Sequence, residues 1–149
     1  MTPGSILLDA LATLIADDVA TLASVTAMHL HLAMAPFSPS SNLIVADFTE
    51  ATFTGATAKD AGTGNQTVFT DPVTGLRTIQ IKEPAGGWTW VCTAGTGLPQ
   101  TIYGVYLTDN GDTHLYGSML LDTPITITTS GQGVHVGYIT FSLLGNALI

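Results

Sequence analysis

His29 and His31 are the first residues of this chain whose types and spacing suggest chemistry. Placed two apart on a strand, both rings point to the same face. Paired imidazoles are how many zinc and iron sites begin, and another His or a carboxylate then completes them. His114 and His135 are the other two histidines, and either would have to converge from far along the chain. With no third donor nearby, the pair reads as polar strand residues facing solvent or a subunit boundary, and the sequence assigns no metal.

Cupin β-barrel enzymes carry a His-x-His strand followed four or five residues later by a Glu. Those positions here are Ala35 and Pro36, so the pattern fails at its first test. Gly117-Ser118-Met119 lacks the second glycine of a nucleophile elbow and its strand-to-helix turn. Cys92 lies beside Trp90 with no local cation or His to activate a thiol, and it reads as a small buried residue. Asp109 and Asp112 flank a turn too poor in oxygens for a calcium loop. Gly62-x-Gly64 and Gly95-x-Gly97 lack the third glycine and the helix that would hold a phosphate. No catalytic residue and no cofactor are assigned, and the chain reads as a non-enzyme.

Trp88 and Trp90 share one face of a strand. Exposed, they would stack on a sugar ring; buried, they are core, and the scarcity of aromatics favours core. Tyr103, Tyr106, Tyr116 and Tyr138 fall on the last strands, where cross-strand pairing explains them without a ligand.

Composition bounds the partners. Charged residues are 9% of the 149, against about 25% in an ordinary soluble domain. A surface this poor in charge suggests coverage by other subunits. The net charge is −8, and Lys59, Arg77 and Lys82 are the only basic side chains. Three scattered cations cannot neutralise a phosphate backbone or hold an anionic membrane, so no nucleic acid and no membrane are expected. One cysteine leaves no intrachain disulfide. The first 58 residues contain no Lys or Arg, so no secretory signal is expected.

The elements that position these residues read in two parts. Residues 1–24 form an N-terminal helix or arm, with Leu7, Leu11 and Leu14 on an apolar stripe. Residues 25–149 read as a single β domain. In "TAMHLHLAMAPF" the period becomes two, with Met28, Leu30, Leu32 and Met34 opposite His29 and His31. "IVADFTEATFTGAT" (44–57) reads as a strand, with Phe48 and Phe53 anchoring it and Thr49, Thr52 and Thr54 presented to a neighbouring subunit. Asn110-Gly111 reads as a two-residue type I′ hairpin, which would place Tyr106 opposite Leu115 and Tyr116 opposite Val105. "THLYGSMLL" and "ITITT" read as separate strands, and "VHVGYITFSLL" as one. About eight or nine short strands with regular turns predict an antiparallel β-sandwich or jelly-roll-like barrel, with the one N-terminal α-helix.

The phrases "ADFTEATF" (46–53), "LPQTIYGVYLTDNGDT" (98–113) and "LLDTPITIT" (120–128) resemble small β-rich virion proteins of tailed bacteriophages, of the head-decorating (cement) and tail-associated kinds. The resemblance covers most of the chain after about residue 27. It implies a non-enzymatic capsid decoration protein on the phage head, assembled in the host cytoplasm. It also implies the major capsid protein as partner and a homo-oligomer, often a trimer. A tail or fibre-associated protein that recognises a host glycan through Trp88 and Trp90 is the alternative.

Overall fold

The computed structural model describes residues 28–38, 43–61, 65–73, 75, 77–82 and 86–142. The expected helix over 1–24, with Leu7, Leu11 and Leu14, lies outside the described residues. Among the described residues nine strands follow in chain order: β1 (His29–Ala33), β2 (Lys59–Asp60), β3 (Asn65–Thr70), β4 (Arg77–Lys82), β5 (Trp88–Val91), β6 (Gln100–Thr108), β7 (Leu115–Ile127), β8 (Gly133–Val136) and β9 (Tyr138–Ser142). They form three antiparallel sheets ordered β2-β1-β6-β7, β3-β4-β9 and β5-β8. The protein is mainly β, as expected, but these sheets do not close into a barrel.

The apolar alternation of β1 holds. Met28, Leu30 and Leu32 enter a core shared with Ile81, Trp88, Trp90, Ile102, Val105, Leu107, Ile127, Val134, Val136 and Ile139. Burying each large aliphatic side chain is worth about 1.5–3 kcal/mol. Trp90 is fully buried, and its indole N–H donates to the Thr57 carbonyl at 2.9 Å. The Trp88 indole donates to the Asp60 carbonyl at 3.0 Å. Each ring thus fills the core while its one polar atom ties down the segment leading into β2.

Four expectations need correction. The stretch 44–57 is not a strand. Val45–Asp47 form a 3-10 turn, and only Glu50 bridges to Ala33 of β1. The physical reason is Gln100, whose buried amide oxygen accepts from the backbone N–H groups of Thr52 and Phe53 at 3.0 and 3.2 Å. A side chain satisfies those donors in place of a sheet neighbour. Phe53 is in the core as expected, whereas Phe48 packs on the opposite face of the first sheet.

Second, Asn110-Gly111 does not form a type I′ turn. A type I′ turn needs positive φ at both central residues, yet only Asp112, at φ 54°, is left-handed there. Asp112 N–H donates to the Asp109 carbonyl and Asp109 N–H to the His114 carbonyl, both at 3.1 Å. The loop is therefore wider than two residues. Thr108 pairs with Leu115, and beyond a bulge Tyr106 pairs with Ser118 and Val105 with Met119.

Third, "THLYGSMLL" and "ITITT" merge into β7. Residues 121–124 bulge out opposite Tyr103 before pairing resumes at Ile102 and Ile125. Pro124 is tolerated because β7 is the last strand of its sheet, where a missing N–H donor need not face a partner. Fourth, "VHVGYITFSLL" splits at Gly137. β8 pairs with β5 and β9 with β4, so the chain passes there from one sheet to another.

A candidate cation site on the outer face of the first sheet

On β6, alternation stops: Val105, Tyr106, Leu107 and Thr108 are all buried. Val105 and Leu107 face the core. Tyr106 and Thr108 face the other way, beside His31 and His29, their cross-strand partners. That outer face is covered because the chain after β1 folds back over it. Phe48 stacks on Tyr106 with ring centroids 4.4 Å apart, and Phe37 meets Phe48 edge-on at 5.0 Å. Gly104 makes room: a Cβ there would lie 2.7 Å from the Phe37 ring.

His31 lies under this cover, with its side chain only 5% exposed. Its ring stacks on Tyr106, centroids 4.8 Å apart and 11° from parallel. Both ring nitrogens meet a carboxylate: Nδ1 is 2.7 Å from Glu50 Oε1 and Nε2 is 3.0 Å from Asp112 Oδ1. The His29 ring is set edge-on to that of His31, and its Nδ1 is 2.8 Å from the same Asp112 Oδ1. The Thr108 hydroxyl donates to Asp112 Oδ1 at 2.8 Å and lies 3.1 Å from His31 Nε2.

The left-handed backbone at Asp112 turns its carboxylate inward from the loop, a conformation Asp tolerates better than most residues. Desolvation pushes the Asp112 carboxyl up, but hydrogen bonds from Thr108, His29 and His31 outweigh it and hold the group below its ordinary value. Burial, reinforced by the charges of Glu50 and Asp112, raises the Tyr106 phenol well above its usual range. A neutral phenol thus lies against the His31 ring.

No protein-family model, no curated protein and no solved structure matches this chain.

Its function is therefore read from its own residues. His29 and His31 share a face, as their spacing predicts, but His31 is buried and does not face solvent. The third group is Asp112, 81 residues beyond His31 and absent from the sequence expectation. His114 and His135 do not converge on the pair: His114 binds Asp109, and His135 lies 2.9 Å from the Thr89 hydroxyl. The only local signal for Asp112 was an acidic residue beside Asn-Gly, which is ordinary turn chemistry.

Trp88 and Trp90 are both core residues and present no open ring face. Cys92 is buried, with its thiol 3.1 Å from the Ala94 carbonyl. Thr49, Thr52 and Thr54 are exposed, although Thr52 also shares its hydroxyl with Gln100 and Thr54 its carbonyl with Thr93. Among the described residues no helix is long and apolar enough to cross a membrane.

Proposed function

We infer that this is a non-enzymatic structural protein whose β surface binds other protein subunits. The observation that carries the reading is β7. It is a 13-residue strand at the edge of a four-stranded sheet, with hydrogen-bonded partners on one side only among the described residues. Asp122 is its one charged residue, and Leu120 is 41% exposed. Asp122, Pro124 and the bulge at residues 121–124 blunt the middle of that edge, and the stretches on either side of it remain a template for pairing with another chain. The exposed, uncharged Thr49, Thr52 and Thr54 fit the same use, since charged residues are depleted at interface centres.

The finer reading rests on the resemblance to bacteriophage virion proteins. It makes the partner a major capsid protein and the role that of a decoration protein. A subunit that binds only the assembled shell stabilises it by mass action, and an oligomer such as a trimer multiplies the effect. The glycan-binding alternative would need a platform other than Trp88 and Trp90.

Light scattering of the purified chain and co-sedimentation with undecorated capsids test the two levels separately. An oligomer that Leu120→Lys converts to folded monomer supports edge pairing. A concentration-independent monomer that also ignores capsids would end the structural reading.

A further inference from the structure

We propose that His29, His31 and Asp112 bind one divalent first-row transition ion of the zinc and iron class, a property separate from any subunit contact. The three side chains offer ligand atoms that all lie within 4.8 Å of one another. Asp112 Oδ1 stands 2.8 Å from His29 Nδ1 and 3.0 Å from His31 Nε2. Two donors bonded at about 2.1 Å to one ion are about 3.0 Å apart at a right angle and about 3.4 Å apart at a tetrahedral angle. The carboxylate is therefore already near donor spacing from each imidazole. Hydrogen bonds from the two imidazoles to Asp112 would give way to the ion, since metal binding releases the ligand protons.

A second observation points the same way. His31 Nδ1, the ring nitrogen on the far side from Asp112, is held by Glu50 at 2.7 Å. On metal binding Nδ1 keeps its proton for Glu50, while Nε2 gives up the one it shares with Asp112 and turns its lone pair to the ion. Metal-bound histidines almost always carry such a carboxylate or carbonyl on the outer nitrogen, which fixes both tautomer and ring orientation. The stack on Tyr106 adds a second restraint on the same ring.

A buried hydrogen-bond network would account for His31, Thr108 and Asp112 alone. It does not require His29, which is 28% exposed and nevertheless spends Nδ1 on the same carboxylate oxygen. Asp112 is 47% exposed, so an ion can enter from solvent against the rigid His31. Two imidazoles and one carboxylate suit zinc, iron, cobalt or nickel rather than magnesium or calcium, which prefer oxygen cages. Three protein donors leave positions for water. The ion would clip β1 to the loop between β6 and β7.

The test uses the full chain, stripped with a chelator and titrated with Zn²⁺ alone, then with Co²⁺ as a spectroscopic probe. The expected result is one equivalent bound, visible Co²⁺ bands and a melting temperature that rises with Zn²⁺ concentration. His29→Gln and Asp112→Asn should each weaken binding at least about tenfold, and Glu50→Gln about 10–100-fold. His114→Gln, whose ring sits against Asp109, should leave binding unchanged. Failure of the folded unmutated protein to bind either ion overturns the proposal. So does binding that survives both His29→Gln and Asp112→Asn, or that is lost in His114→Gln. If the site variants do not fold, imidazole NMR of the unmutated chain decides. Zn²⁺-induced shifts at His29 and His31 sustain the site, and shifts confined to His114 and His135 overturn it.

Discussion

Asp109 and Asp112 share one turn, yet among the described residues Asp109 bonds to its neighbours while Asp112 reaches a strand 81 residues away. Asp109 accepts from the backbone N–H groups of Thr113 and His114 at 2.7 and 3.0 Å. Its other oxygen meets the Thr113 hydroxyl at 2.8 Å and His114 Nδ1 at 2.9 Å. All of these partners are four or five residues on. Asp112 instead points back across the sheet to His29, His31 and Thr108. The first carboxylate shapes the loop. The second uses that shape to close a long-range contact. A turn can therefore hold two acidic residues with different physics: one is a cap and the other a cross-link.

Removing the receiving end of the cross-link should have the largest effect. His31→Ala leaves Glu50 and Asp112 without their shared partner and opens a void under Tyr106. It should cost about 2–3 kcal/mol in urea denaturation with chelator present. A loss below about 0.5 kcal/mol would mean that the cross-link contributes little without metal. Asp112→Asn should cost less, about 1 kcal/mol, because the side chain is half exposed and the amide still accepts one hydrogen bond. Asn also tolerates the left-handed backbone, so the variant isolates charge from conformation.

Acid should weaken both networks. Hydrogen bonds from His114 and Thr113 hold the Asp109 carboxyl far below its ordinary value, and Asp112 is lowered as well. A depressed carboxyl contributes stability that is full above its unfolded value, near pH 4, and is lost as pH falls through the lower folded value. The melting temperature should therefore drop between about pH 4 and pH 2, and the double variant Asp109→Asn/Asp112→Asn should flatten that drop. An unchanged acid limb would place the acid-sensitive groups elsewhere. The smallest expected effect is the coupling between the two networks. In a double-mutant cycle, His31→Ala with Asp112→Asn should be strongly non-additive. His31→Ala with His114→Gln should be additive, because those rings share no hydrogen-bond partner.

Much of this was legible from local pattern. β1 with its two histidines on one face, the Trp pair on one face of β5, and an all-antiparallel β chain follow from period-two alternation and turn residues. Such signals are carried by neighbours in the chain. The boundaries failed where a distant group intervened. Gln100 took the backbone donors of 52 and 53, so the Thr-rich stretch never became a strand. Asp112 widened the hairpin, so the tyrosine pairs expected from a two-residue turn shifted register.

Sequence by itself determined the antiparallel β class, the poverty of charge, and the shared face of His29 and His31. These depend on residue type and on a repeat of two. Only the tertiary structure decided that His31 is buried, that Glu50 holds its outer nitrogen, and that Asp112 supplies the third donor. The reason is that β1, the segment after it and the loop at residues 109–114 meet only when the first sheet assembles and Phe37 and Phe48 fold over its outer face. No spacing along the chain encodes that meeting.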